Sequence, residues 1–170
     1  MTCSDVFSSV WTNYFSLCGT VETFAFPPVL KRIYTSYDNR MGISSRVTSG
    51  DRVNCNWEMM TVPSGTTDFK FCIHGRTKTS SGTIRPLDMS TGETRWCRFF
   101  IEAPSNQRVQ MTCSSINLGN SPTSYMRMRG QDIIAQPPIV NQIYTTNEHY
   151  LDFDSRITNP DWFECKWTFV

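Results

Sequence analysis

The last ten residues, DWFECKWTFV at 161–170, alternate apolar Phe163, Cys165, Trp167 and Phe169 with polar Glu164, Lys166 and Thr168. A period of two is the mark of a strand with one buried face. The same pattern stands 110 residues earlier, where Val53, Cys55, Trp57 and Met59 alternate with Asn54, Asn56 and Glu58. Working outward from these two strands, Phe26–Met60 aligns on Gln136–Val170 without a gap, and eleven of 35 positions are identical. Unrelated segments would share roughly two, so the chain contains an internal repeat.

The same offset places MTCS at residues 1–4 on MTCS at 111–114. Residues 1–60 therefore read as the C-terminal part of a first unit whose N-terminal part is absent, and residues 61–170 as a complete second unit. Further alternation supports strands throughout. Val109, Met111 and Cys113 alternate with Gln110 and Thr112, Leu151 and Phe153 with Asp152 and Asp154, and Phe69 and Phe71 flank Lys70. Turn residues separate them at 63–65, 80–82, 90–92, 104–106, 119–122 and 159–160, the punctuation of a sandwich or barrel.

Composition agrees. The 170 residues include 18 Ser, 20 Thr, 11 Ile and 10 Val but only 5 Leu and 3 Ala, so β-formers outnumber helix-formers. No run approaches 18 apolar residues, and 16 Lys+Arg against 15 Asp+Glu leave no basic surplus. A membrane span and electrostatic nucleic-acid binding are thereby disfavoured. An aromatic content of 13% argues against a disordered chain.

Seven cysteines, none in a Cys-x-x-Cys pair, favour structural disulfides and an extracellular setting over zinc or thioredoxin chemistry. The four in the second unit allow three pairings. The first unit retains counterparts of only two, Cys3 for Cys113 and Cys55 for Cys165, so the economical scheme joins Cys72 to Cys97, Cys113 to Cys165 and Cys3 to Cys55. Loops of this size would stabilise each unit by about 3 to 4 kcal/mol in the chain-entropy account.

In the second unit Cys72 is followed by CRFFIEAP at 97–104 and RVQMTC at 108–113; in the first, LCG stands at 17–19 and DNRMGI at 38–43. Together with the 110-residue period, these segments resemble the CUB domain, and the closing Cys55 and Cys165 resemble a variant with a cysteine in its last strand, as in arthropod secreted proteins. The resemblance implies an all-β, antiparallel, jelly-roll-like sandwich in tandem copies from an extracellular protein. It also implies a non-catalytic module that binds partner proteins, copies of itself or glycans.

Two departures stand out. The calcium-binding acids of many CUB domains have no counterpart in SPTSYMRMRG at 121–130, so no metal site is expected in the second unit; Asp5 after Cys3 leaves calcium open only in the incomplete first unit. Cys18 would have a second family disulfide partner, whose bridge is lost in the second unit because Met128 stands at the counterpart of Cys18. Cys18 is then odd, which leaves an intermolecular bond, a partner outside the chain, or a buried thiol.

Only His74 and His149 could serve a catalytic triad, and both read as bland: His74 beside a structural cystine, His149 in a solvated loop. Arg127 and Arg129 bracket Met128, so both should face outward with Met126 and Met128 inward, either as a patch for a sulfated glycan or acidic partner or as a plain solvated strand. The shared Pro-Pro, Ile-Tyr-Thr and Ser-Arg-x-Thr positions read as structural needs, with Tyr34 and Tyr144 at the edge of the core. No phosphate loop, His-Glu-x-x-His element or Asn-x-Ser/Thr acceptor occurs. The expectation is a cofactor-free, non-enzymatic interaction or structural module, with the non-catalytic arm of a secreted protease and a glycan-binding protein as alternatives.

Overall fold

A computed structural model describes residues 1–8, 13–18, 23–25, 28, 30, 41–59, 63–119 and 122–170. Two compact units divide the chain, Met1–Thr61 and Val62–Val170. Pro27, Ile33–Thr35, Gly19 and Asp38–Arg40, all used in the sequence comparison, lie outside the described residues, as do the side chains of Cys18 and Trp96.

The first unit holds strands β1 (Thr2–Phe7), β2 (Tyr14–Cys18), β3 (Thr23–Ala25), β4 (Gly42–Arg46) and β5 (Arg52–Asn56). Strands β1 and β5 form one sheet, and β3-β2-β4 the other. Cys3 lies directly opposite Cys55 and is bonded to it, with the chain bulging after Cys3 so that Asp5, not Ser4, faces Asn54. The small buried cluster is Cys3, Phe15 and Leu17.

The second unit contains β6 (Asp68–Phe71), β7 (Arg76–Thr77), β8 (Ser81–Pro86), β9 (Thr94–Glu102), β10 (Val109–Asn117), β11 (Tyr125–Arg129), β12 (Ile133–Ala135), β13 (Ile143–Thr145), β14 (Tyr150–Thr158) and β15 (Trp162–Phe169). They form two five-stranded sheets, β13-β10-β15-β8-β6 and β12-β11-β14-β9-β7. The inward residues of both meet in one core, where Phe69 packs on Phe99 and Trp167, and Phe71 on Phe153 and Phe163, at centroid distances of 5.3 to 5.6 Å. This is a β-sandwich, and Val109, Met111, Leu151, Phe153 and Phe163 are fully buried in it as their alternation demands.

Two pairings depart from the antiparallel expectation: β6 runs parallel to β8, and β7 parallel to β9. Parallel neighbours need a crossover connection. Here the chain makes it by switching sheets, since β7 separates β6 from β8 and lies in the opposite layer.

Several details of geometry occur in both units. Cys113 is bonded to Cys165 directly across β10 and β15, and the ladder again shifts after the cysteine, so that Ser115, not Ser114, faces Glu164. Ser4 Oγ donates to the Asn54 carbonyl, and Ser114 Oγ donates to the Glu164 carbonyl. In the turn before β5 the Thr48 N–H donates to Asp51 Oδ2, and before β15 the Thr158 N–H donates to Asp161 Oδ2. These bonds explain why Asp51 and Asp161 are identical between the copies: each carboxylate closes its own turn on a main-chain N–H. Tyr144, at the edge of the core, accepts from the Ile139 N–H through its hydroxyl.

Register corrects one correspondence. Ser45 of β4 faces Phe15, whereas Ser155 of β14 faces Met126, and Leu17 faces Ile43 as Met128 faces Phe153. The connection ahead of β11 is one residue longer than that ahead of β2, so the counterpart of Cys18 is Arg129 and not Met128.

Trp167 Nε1 donates to the Thr79 carbonyl, and its ring lies over Gly82; a Cβ at Gly82 would fall 2.4 Å from the indole. Gly82→Val should therefore lower the unfolding free energy by at least about 2 kcal/mol, the cost of overfilling a packed core. Urea unfolding checks this, and a variant as stable as the parent would refute the close approach.

Candidate binding face

The outer face of the β11-β14-β9 layer carries the candidate site. Because Leu151 and Phe153 point inward, Asp152 and Asp154 must point outward, as do Arg98 and Phe100 on β9 and Arg127 and Arg129 on β11. Outward does not mean solvated here. Asp154 is 1% and Asp152 5% exposed, although both stand on the outside of the sheet.

The arginines bury them. Arg98 reaches diagonally to Asp152 with two bonds, Nε at 3.1 Å and Nη2 at 2.5 Å. Arg127 places Nε and Nη2 on Asp154 Oδ2 at 3.0 and 2.7 Å, and Arg129 Nη2 sits 2.8 Å from Asp152 Oδ2 and 3.4 Å from Asp154 Oδ2. Three guanidinium groups thus bond two carboxylates that are almost wholly withdrawn from water. Asp154 Oδ1 and Arg129 Nε are buried without a hydrogen-bond partner.

Aromatic side chains border the cluster. The Arg127 guanidinium lies 5.6 Å from the Tyr125 ring centroid, a cation–π contact. Burial pushes the Tyr125 phenol up to about 12, reinforced by the charge of Asp154 and a hydrogen bond to it, against the pull of Arg127 and Arg129. On the other side Phe100 stacks on Tyr150 with Arg76 above Phe100. Glu102 pairs with Arg76 and Lys78, and the Arg76 hydrogen bond holds its carboxyl below the usual range.

Arg127 and Arg129 therefore form no open cationic patch; both are committed to buried acids. Asp152 and Asp154 are the site residues that alternation alone missed, because it assigns a face but not what covers it. The signal was available in the register: Arg-x-Arg on one strand against Asp-x-Asp on its neighbour.

The remaining candidates separate from this face. Cys72 and Cys97 are bonded, tying β6 of one sheet to β9 of the other. His74 is half-buried, its Nδ1 accepting from the Lys70 N–H and its ring against Phe69. His149 lies in the loop ahead of β14, half-buried with its ring edge-on to Tyr150. Asp5 pairs with Arg52 at 3.3 Å. Among the described residues no three His, Cys, Asp or Glu converge as a metal site, and no helix is long and apolar enough to cross a membrane.

No family model and no curated protein matches the chain. Among solved structures it is similar to the CUB1-EGF-CUB2 domain of human MASP-1/3, at 11% identity and a TM-score of 0.43, over 99% of this chain and 85% of that one. What its own structure defines is a class: a disulfide-stapled β-sandwich with a charged, aromatic outer face.

Asp154→Ala strips Arg127 of its partner beneath the sheet surface and should cost about 3 kcal/mol, the range for breaking a buried pair, whereas loss of the exposed Asp5–Arg52 pair should cost under about 1 kcal/mol. Chemical denaturation of both variants checks the contrast, and equal costs would refute it. Burial holds the His74 imidazole below its ordinary value of 6.5, outweighing the opposing Lys70 main chain and Asp68. The unfolded chain then binds the proton first, so this contribution is complete above pH 6.5 and is lost as pH falls through the lowered folded value. Unfolding free energies between pH 5 and 8 should slope downward toward acid, and His74→Gln should flatten that slope; an unchanged slope would refute it.

Proposed function

We propose that this chain is a non-enzymatic extracellular interaction module of a larger assembly, binding partner proteins through its CUB-like sandwiches and using the outer face of β9, β11 and β14. One observation carries the reading. Gly42 and Ser44 of β4 stand where β14 has Asp152 and Asp154, and Ser16 and Cys18 of β2 stand where β11 has Arg127 and Arg129. The frame is thus built once without the ionic cluster and once with it. What the frame does not require, the second unit has for another reason.

Arginine and aromatic side chains fixed in place by bonds to neighbours suit protein recognition, because little side-chain freedom remains to be lost on binding. Three disulfides fit an oxidising compartment and would not persist among cytosolic reductants. The reading includes no calcium on this face, where Asp152 and Asp154 pair with arginines.

The test is surface binding of the full chain, in EDTA, to a panel of purified extracellular proteins, beside a glycan array. Saturable, salt-sensitive binding to a protein is expected, weakened at least about tenfold by Arg76→Ala with Phe100→Ala. Binding that survives this pair, that requires calcium, or that is confined to glycans would contradict the reading.

A further inference from the structure

Thr77 is buried, so Arg76 and Lys78 on either side of it turn outward, onto the same face as Arg98, Arg127 and Arg129. Arg156 joins them, because Ser155 and Ile157 of β14 are buried and Arg156 between them is exposed. Against these six cations the strands of the face send out three acids, Glu102, Asp152 and Asp154. The surplus is positive, in a chain whose formal net charge is only +1, so the remainder of the molecule is net negative. Tyr125, its phenol pushed up to about 12 chiefly by burial, adds no negative charge at neutral pH.

Depth adds to the surplus. Asp152 and Asp154 are withdrawn from water, whereas the side chains of Arg98, Arg127 and Arg129 keep 23 to 31% of their exposure and that of Lys78 keeps 70%. An approaching molecule therefore meets the cations before the acids. The planar guanidinium of Arg127 turns its Nε–Nη2 edge to Asp154, which leaves the Nη1 edge pointing away from that acid.

On the interaction-module reading above, we infer that the partner of this face is an acidic polypeptide segment, whose run of carboxylates meets these cations and whose apolar side chains pack beside Phe100 and Tyr150. Charge complementarity of this kind sets partner choice and the speed of encounter. The aromatic side chains favour a polypeptide over a sulfated glycan. A sugar ring stacks on an open aromatic face, and Phe100 is flanked by Arg76 from β7 and by Tyr150 from β14, on opposite sides of β9. The Tyr125 ring carries Arg127. The segment belongs to another protein, since no two acidic residues are adjacent anywhere in these 170 residues and a second copy offers no acidic run.

The experiment selects random displayed peptides against the full chain, disulfides intact and in EDTA, and measures the enriched sequences as synthetic peptides in solution. Adjacent Asp and Glu residues should be enriched. Lys78→Glu should weaken binding of the selected peptide at least about tenfold, by setting like charges together. Lys166→Glu changes the net charge equally at an exposed position of β15, in the other sheet, and should leave binding unchanged. Enrichment without an acidic bias, or equal losses from the two variants, overturns the inference while the module reading stands. So does self-association of the chain that Lys78→Glu abolishes. Failure to enrich any peptide overturns the inference as well, and binding confined to heparin overturns the module reading with it.

Discussion

Two cross-strand disulfides, Cys3–Cys55 and Cys113–Cys165, hold the pairing on which everything else depends. Each joins residues directly opposite one another, with Cα atoms 3.9 Å apart, and each is followed by a register shift in its β1 or β10 strand. A one-residue slip in a strand turns every side chain to the other face, and a covalent bond at a fixed register forbids it. With β10 and β15 locked, Phe163, Cys165 and Trp167 must face inward. Trp167 then meets Gly82 and Phe69, and β8 and β6 take their places beside it.

On the opposite layer the same alternation sets Asp152 and Asp154 outward, where water would ordinarily solvate them. The arginines of β9 and β11 cover them instead. Burying two carboxylates is costly unless each is paired and hydrogen-bonded. The arginine forks supply those bonds to Asp152 and to Oδ2 of Asp154, and leave Asp154 Oδ1 without a partner. The first unit, with Gly42, Ser44 and Ser16 at the matching places, bears none of this charge, yet keeps the disulfide, the serine bond and the threonine–aspartate turn.

Much of this was legible in the residues. Alternation marked the buried faces, the 110-residue offset marked equivalent strands, and the cysteine arithmetic marked the pairs. Three things were not. The one-residue difference ahead of β2 and β11 is invisible to an ungapped comparison, so Cys18 was matched to Met128 although register sets it against Arg129. The parallel pairing of β6 with β8 depends on a sheet-to-sheet crossing that no local pattern encodes. And alternation gives Trp57 and Trp167 the same inward assignment, while burial depends on strands brought in from elsewhere in the chain. Asp152 and Asp154 fall under the same rule, since their environment is set by arginines 27 and 54 residues distant.

The most direct test of the shared frame is peptide mapping by mass spectrometry without reduction, on natural material with thiols blocked at once. Linked peptides joining Cys3 to Cys55, Cys72 to Cys97 and Cys113 to Cys165 are the predicted result. Free thiols at these six positions, or Cys3 linked to any residue other than Cys55, would contradict the account, because the two units would then not share the pairing from which the rest is built.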